Sequence, residues 1–152
     1  AHVAARPRTS LKTRGNVAMC GTFGYELDPR KLTDDEKAEV KQQIADYRKY
    51  HRLVREGDFY RLVSPTENAF YCVWEFVSPD KQEAMMTAVV MRQPETRYCL
   101  QRLRGLDPKT YYQDEETGTV YSGAMLMNAG LNLTRDVYED GTSVTKHFKA
   151  VK

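Results

Sequence analysis

The chain has 152 residues, 41% of them hydrophobic and 29% charged, and its formal net charge is +2. This length is enough for one hydrophobic core, and the composition is typical of a globular protein rather than a disordered one. A charge so close to neutral does not favour nucleic acid or an anionic membrane as a partner, and no apolar run is long enough to span a bilayer. We expect neither partner, although a small basic cluster without interleaved aromatic residues lies near the start (Arg6, Arg8, Lys12 and Arg14).

Cysteine and histidine residues are scattered along the sequence. Cys20, Cys72 and Cys99 are odd in number and form no Cys-x-x-Cys pair, which predicts buried free thiols in a reducing compartment. The three histidines do not cluster either, so we expect no metal centre and no cofactor. The first residues lack the apolar core of a signal peptide, and Ala1 is not an initiator methionine. These features predict a protein of a reducing compartment that was processed or cut from a longer one.

The beginning of the chain predicts alternating strands and helices. Residues 1–5 can form the end of a strand, and Thr9 or Ser10 can cap a short helix that Gly21 closes. Residues 22–27 are rich in strand-forming side chains and stop just before an Asp-Pro pair.

A long helix is predicted over residues 33–57. Thr33 can cap its first turn, Glu36 stands where a capping box needs an acid, and Gly57 ends the pattern. Apolar or aromatic side chains recur at helical spacing and form a narrow seam that another element must cover. The seam consists of Val40, Ile44, Tyr47, His51 and Val54.

Strand, helix, strand and long helix in this order are typical of a parallel α/β unit. A strand over residues 22–27 cannot be stable alone, because its backbone donors and acceptors need partners on both sides. Either the strands further along the chain supply those partners, or the rest of a parallel sheet lies on residues outside this sequence. We favour the second interpretation, because the later strands have an antiparallel pattern of their own.

From residue 58 onward, short strands and frequent turns predict an antiparallel β-sandwich. The strongest strand, residues 70–77, should form a hairpin with residues 84–91 across a Ser-Pro-Asp-Lys turn. An Asp140-Gly141 pair predicts another hairpin, between Val137 and Val144. The remaining predictions are strands over residues 59–63, 98–103, 110–113, 119–122 and 144–150, and a helical turn over 124–128.

Two groups of acidic residues are candidates for chemistry. Glu26 and Asp28 would point the same way from a strand end, as paired carboxylates for acid/base work do, but we favour a cap for the following loop. A run of acids in the first turn of the long helix, Asp34, Asp35 and Glu36, is better explained by compensation of the helix dipole.

Aromatic and histidine side chains offer further candidates. His51 lies in the apolar seam and is expected to be packed and hydrogen-bonded rather than a ligand. Tyr71, Trp74 and Phe76 could form a sugar-stacking platform, but their place in the strongest strand favours the sandwich core. The methionines are expected to fill irregular gaps in the core.

Several motifs together resemble glycoside hydrolase family 36, the melibiases. They follow the family's order over nearly the whole chain, and the barrel-end motif Gly-Thr-Phe-Gly-Tyr-Glu-Leu-Asp is the most specific of them. The motifs occupy residues 11–14, 17–19, 21–28, 57–62, 105–108, 120–123 and 126–131.

The resemblance implies the closing part of an α-galactosidase. Members of this family have an N-terminal β-domain, a catalytic (β/α)₈ barrel and a C-terminal β-sandwich. Residues 1–56 would then be the last helix, strand and helix of the barrel, and residues 57–152 the sandwich. This organisation would supply the partners that residues 22–27 need.

The implied reaction is hydrolysis of terminal α-galactosides of the melibiose and raffinose type, with retention of configuration. Two aspartates perform it, with carboxyl groups about 5 to 5.5 Å apart. Both lie on earlier barrel strands of the family, so no catalytic residue carries over to this chain, Glu26 and Asp28 included. Related enzymes often form homo-oligomers and act in the cytoplasm, and the resemblance implies both for this protein.

The chain departs from the family pattern in one place. Where relatives have a longer loop with a Pro-Asn-His-Gln stretch, this chain has only residues 4–10, and the role of His2 stays open. Two other interpretations remain. A free-standing carbohydrate-binding sandwich predicts an exposed Trp74, and an oligomerisation module predicts that the helix seam meets another subunit.

Overall fold

The computed structural model describes residues 9–95 and 98–151. Predictions that concern the strand over residues 1–5, His2, Arg6 and Arg8 lie outside the described residues. Over the described part, the chain contains helices, one short 3₁₀ turn and strands that are mostly antiparallel partners. The helices are α1 (Leu11–Ala18), α2 (Asp34–Glu56) and α3 (Gly123–Asn128), and the 3₁₀ turn is Pro29–Lys31. The strands are β1 (Asp58–Val63), β2 (Tyr71–Val77), β3 (Glu83–Val90), β4 (Leu100–Gln101), β5 (Tyr111–Asp114), β6 (Val120–Ser122), β7 (Leu131–Asn132) and β8 (Ser143–Val151).

The two helices before the strands form as the sequence predicts. Ser10 caps α1, its side chain accepting a hydrogen bond from the backbone N–H of Thr13 at 3.1 Å. At the start of α2, the hydroxyl of Thr33 accepts from the Glu36 N–H at 3.2 Å, and the Glu36 carboxylate accepts from the Thr33 N–H at 2.8 Å. This capping box satisfies two backbone donors that a helix start otherwise leaves open.

Residues 22–27, predicted to be a strand, do not form one in the described structure. Residues 22–25 have no regular structure, and Glu26 forms an isolated bridge. A strand exists only where a neighbour pairs with it along its length. The described residues contain no parallel strand pair, so the parallel α/β unit expected for this part of the chain is not seen here.

The antiparallel pattern predicted after residue 57 is confirmed. Over the described residues, six strands form one sheet, here called the main sheet, in the order β1-β2-β3-β8-β5-β6. The expected hairpin joins β2 and β3, with Val77 opposite Ala84 and Tyr71 opposite Val90. β4 and β7 pair as a separate two-stranded ribbon within the same described part.

Two strand predictions need correction. Of residues 98–103, only Leu100–Gln101 is a strand. The Asp140-Gly141 hairpin does not form, although Gly141 does adopt the positive φ of 76° that such a turn requires. Val137 is instead buried in a turn, with its N–H bonded to the carbonyl of Leu133 at 3.1 Å, and Val144 pairs with Ala88. The predicted turn at Asp140-Gly141 therefore forms, with the Thr142 N–H donating to the Glu139 carbonyl at 3.1 Å, but Val137 is not in a strand that could pair across it.

The main sheet has two different faces. Alternate side chains of a strand point to opposite sides, so β2 supplies Val73 and Val77 to one face and Trp74 and Phe76 to the other. The ribbon and α3 cover the first, here called the ribbon face, which holds the larger core. Helices α1 and α2 cover the second, here called the helix face.

Candidate functional site: a charged joint between the long helix and the sheet

His147 lies at the centre of a charged cluster on the helix face. Only 5% of this residue is exposed. Its Nδ1 lies 2.6 Å from Oε2 of Glu115, and its Nε2 lies 2.5 Å from Oε1 of Glu83. Both ring nitrogens therefore lie at hydrogen-bond distance from a carboxylate oxygen. The histidine thereby links β8 to β3 and to the turn after β5.

Glu115 also forms ion pairs with two lysines. Its carboxylate lies 2.5 Å from Nζ of Lys49 on α2 and 2.8 Å from Nζ of Lys149 on β8. Burial acts to raise the pKa of Glu115, but the hydrogen bonds from Lys149, Lys49 and His147 outweigh burial and lower that pKa to about 2. The carboxylate is therefore ionised at neutral pH and holds three elements together.

The long helix completes the cluster with an aromatic ring. The ring of Tyr50 lies 4.5 Å, centroid to centroid, from the ring of His147, and Nζ of Lys49 lies 4.9 Å from the Tyr50 centroid. We call this group the charged joint: Lys49, Tyr50, Glu83, Glu115, His147 and Lys149. It fixes α2 against the main sheet beside an apolar cluster that contains Leu53, Trp74 and Met85.

Helix α1 is attached to the same face by polar contacts. Ser143 at the start of β8 donates to the Thr13 hydroxyl at 2.9 Å and accepts from Asn16 at 2.9 Å. Between the helices, the buried Gln43 side chain donates to the carbonyl of Leu11 at 3.1 Å. A Cβ at Gly15 would lie 2.4 Å from Cδ of Gln43, so a larger residue there would displace the end of the Gln43 side chain.

Sequence reasoning missed the charged joint. Glu83, Glu115 and His147 are far apart in the sequence and belong to no local motif. The register of β3 and β8 brings them together, with Met85 opposite His147 and Glu83 opposite Lys149. Knowledge that β3 pairs with β8 would have revealed the joint. The sequence predicts both strands but not their pairing.

The acidic candidates from the sequence have structural roles. Asp28 accepts from the Arg30 backbone N–H at 3.0 Å and from its guanidinium at 2.9 Å, and these bonds from Arg30 lower the pKa of Asp28. It caps the 3₁₀ turn, as the favoured interpretation predicts, while Glu26 is exposed. Asp34 and Glu36 stand in the first turn of α2, where Asp34 pairs with Lys37 at 3.0 Å.

Other candidates are placed in the core or at the surface. Trp74 is 7% exposed and lies in the helix-face cluster with Phe76, while Tyr71 is buried on the ribbon face. The core interpretation of these three residues is confirmed, and Trp74 is not an exposed sugar platform. The expected packing of His51 is wrong, because this residue is exposed, although its Nδ1 lies 2.9 Å from the Arg48 carbonyl.

The cysteines are free thiols, as predicted, but their burial differs. Cys99 is buried, Cys72 is half-buried and Cys20 is exposed, so the expectation of burial is wrong for Cys20. Burial raises the pKa of the Cys99 thiol. Separately, none of the helices in the described ranges has both the length and the apolar character needed to cross a bilayer.

Two family models match this chain. Residues 71–148 match the C-terminal domain of glycosyl hydrolase family 36, and residues 1–57 match melibiase. α2 therefore lies within the melibiase match, whereas Glu83, Glu115 and His147 all lie within the C-terminal-domain match.

Individual proteins agree with the family models. The chain is 47% identical over 140 residues to the α-galactosidase AgaA of Geobacillus stearothermophilus, covering 88% of this chain and 19% of that protein. It is 42% identical over 140 residues to the bifunctional α-galactosidase/sucrose kinase AgaSK of Mediterraneibacter gnavus, covering 88% of this chain and 15% of that protein. A crystal structure of an AgaA variant in complex with raffinose matches with a TM-score of 0.87 at 43% identity, over 99% of this chain and 20% of the other.

These matches have two consequences. The chain spans 15% and 19% of the two relatives' lengths, so it corresponds to a small part of each. The family-model match to residues 71–148 covers half of the chain. The chain therefore belongs to glycosyl hydrolase family 36 and carries that family's C-terminal domain.

Proposed function

We propose that this chain is the C-terminal portion of a retaining α-galactosidase that hydrolyses terminal α-galactosides of the melibiose and raffinose type. The names of the relatives and the raffinose bound to one structural neighbour support this activity for the complete protein. In a retaining glycosidase, one carboxylate attacks the sugar and another donates a proton to the leaving oxygen. We place neither on this chain, whose acidic candidates Glu26 and Asp28 are an exposed residue and a turn cap.

The role proposed for the chain itself is structural. Residues 1–56 would close the catalytic barrel, and residues 57–152 would form the domain that packs on it. The observation that carries this proposal is the charged joint, because it ties α2, in the proposed barrel segment, to three separate parts of the sheet domain. Rigid attachment of a sheet domain to the last barrel helix would limit opening of the barrel at that end.

Location and assembly belong to the same proposal. Free thiols at Cys20, Cys72 and Cys99 support a reducing compartment such as the cytoplasm. Val40 and Ile44 on α2 are only half-buried, which supports a further covering surface, either the rest of the barrel or another subunit of a homo-oligomer.

Activity assays test the proposal directly. The complete protein should cleave p-nitrophenyl α-galactoside, and this chain expressed alone should not. Turnover by the purified chain would overturn the structural role, and no turnover by the complete protein would overturn the α-galactosidase assignment.

A pair of histidine variants tests the role of the joint. In the complete protein, His147→Ala should lower the temperature of irreversible inactivation, because it leaves the Glu83 and Glu115 carboxylates without their shared partner. The matched control His51→Ala removes an exposed histidine of α2 and should leave that temperature unchanged. Equal inactivation temperatures for His147→Ala and the unmodified protein would contradict a stabilising joint.

A further inference from the structure

A cavity of about 570 Å³ opens on the ribbon face, between the β5–β6 hairpin and the ribbon. We call it the ribbon-edge cavity. It has the size of pockets that hold small ligands, which range from about 300 to 1,000 Å³. Its lining comes from Tyr98, β5, β6, β7 and the turn after β7, and from Lys146 on β8.

Lys146 is the central polar group of this cavity. Its side chain is only 7% exposed, and its Nζ donates to Oε2 of Glu116 at 2.6 Å. The carboxylates of Asp114 and Asp136 lie at 3.6 and 3.8 Å from the same nitrogen, beyond ordinary hydrogen-bond length. An ammonium group has three donors, and among the contacts within the described ranges one is used in a short bond. The other two donors have only the longer contacts to Asp114 and Asp136, so a ligand oxygen at hydrogen-bond distance can compete for them.

The acidic groups around Lys146 differ in whether they can accept a hydrogen bond from a ligand. Asp114 is 2% exposed and already accepts from the Glu116 N–H at 2.9 Å and from the Thr117 hydroxyl at 3.0 Å. Asp136 has a side chain that is 34% exposed at the cavity wall. Asp136 can therefore accept from a ligand hydroxyl next to the donors of Lys146.

Charge balance restricts the ligand class. Asp114 and Asp136 line the cavity together with Arg135 and Lys146, and Glu116 binds Lys146 as well, so carboxylates outnumber cations by one. A phosphate-binding site needs an excess of positive charge, which this cavity lacks, and the ammonium of Lys146 already lies among the carboxylates where a divalent cation would bind. A neutral ligand with many hydroxyl groups fits the mixture of donors and acceptors.

An aromatic wall completes the site. Tyr98 is 58% exposed and borders the cavity, and Tyr121 lies at the same wall. The apolar face of a sugar ring can cover an exposed tyrosine while its hydroxyls reach charged groups. We infer that the ribbon-edge cavity binds a neutral sugar unit, with its hydroxyls on Lys146 and Asp136 and its ring against Tyr98. This goes beyond the proposed function, since it requires no catalytic residue.

Titration of the complete protein with raffinose tests the inference. Calorimetry is performed with 1-deoxygalactonojirimycin present at the lowest concentration that abolishes turnover, so that the proposed catalytic site is filled. We expect saturable raffinose binding that Asp136→Ala weakens about tenfold, by loss of a hydrogen bond to a charged group, and Tyr98→Ala about fivefold. Tyr138→Ala is the matched control, because Tyr138 is 50% exposed and does not line the cavity.

Each outcome has a clear meaning. Weaker binding in Asp136→Ala and Tyr98→Ala, with unchanged binding in Tyr138→Ala, supports the site. No saturable raffinose binding, equal binding by all variants, or binding of inorganic phosphate in place of raffinose overturns it. Failure here while p-nitrophenyl α-galactoside is still cleaved counts against this site alone, whereas absence of cleavage counts against the proposed function.

Discussion

The two faces of the main sheet are held by different forces. On the ribbon face, a continuous apolar core includes fully buried Tyr112, Leu133 and Phe148. On the helix face, a smaller apolar cluster around Trp74 is bordered by the charged joint and by the hydroxyl contacts of Ser143. The free energy of apolar burial depends on the area buried and hardly on the relative orientation of the groups, whereas charge-assisted hydrogen bonds require specific geometry.

This difference indicates what each face contributes. The ribbon face can stabilise the sheet domain whatever its surroundings, because its core lies between elements of that domain. The helix face instead sets how the sheet is oriented against α2, since the joint is satisfied in one arrangement. The following predictions concern the complete protein, with hydrogen exchange of β8 amides reporting the free energy of opening.

The largest effect is expected in the ribbon-face core. Phe148 is 0% exposed, so Phe148→Ala should lower the free energy of opening by about 3 to 5 kcal/mol through lost burial and the cavity left behind. Phe59 on β1 is the matched control, because it is 50% exposed, and Phe59→Ala should cost about 1 kcal/mol or less. Similar losses at the two positions would contradict the core assignment.

A large pH effect is also expected on the ribbon face. Glu75 is 0% exposed and accepts from the Arg104 N–H at 2.6 Å, and burial raises its pKa from 4.5 to about 8. Stability contributed by the protonated acid is complete below pH 4.5 and is lost as the pH rises through about 8. At about 1.4 kcal/mol for each unit of pKa, the loss should be on the order of 5 kcal/mol.

Glu75→Gln gives the matching test. It keeps an acceptor for Arg104 but cannot ionise, so stability should become nearly independent of pH across that window. Hydrogen exchange, corrected for its intrinsic pH dependence, measures the free energy of opening at each pH. If that free energy changes with pH as much in Glu75→Gln as in the unmodified protein, another group causes the pH dependence.

The helix face should respond to pH in the opposite direction. Charged partners lower the pKa of Glu115 from 4.5 to about 2, so the joint contributes stability above pH 4.5 and loses it as the pH falls through about 2. Glu115→Gln should remove this acid dependence and cost on the order of 2 kcal/mol at pH 7. Acid titration of the two proteins, followed by circular dichroism, checks the prediction, and parallel curves would contradict it.

The smallest effect is expected for ion pairs away from the joint. Arg52 pairs with Glu56 at 2.9 Å on α2, but its side chain is 81% exposed. Solvent screens such a pair, so Arg52→Ala should give no resolvable change in the exchange of β8 amides. A loss as large as that of Glu115→Gln would remove the distinction between the joint and ordinary surface charges.

Local patterns in the sequence predict much of the fold correctly. The capping box at Thr33 and Glu36 defines the start of α2, and alternation around Trp74 defines β2 and its division between two faces. Such features depend on neighbours a few residues away, which the sequence displays directly. The resemblance to family 36 was likewise available from short motifs along the chain and agrees with the family models.

Features that depend on contacts between distant segments were harder to predict than local helices and turns. Residues 22–27 have strand-forming side chains, yet only Glu26 forms a bridge in the described structure, because strand formation depends on a partner as well as on propensity. Val144 shows the same limit, since the turn at Asp140-Gly141 forms as predicted but Val144 pairs with Ala88 of β3 and not with Val137. His147 and Lys146 carried no local signal at all, and neither did the cavity that Lys146 lines.

The sequence by itself determined where α2 begins and ends, which strands form the hairpin of β2 and β3, and the family to which the chain belongs. Only the tertiary structure decided which groups two adjacent residues of β8 meet, with His147 in the charged joint and Lys146 in the ribbon-edge cavity. The physical reason is that periodicity fixes the alternation of side chains along a strand, whereas the groups they meet depend on pairing between distant segments.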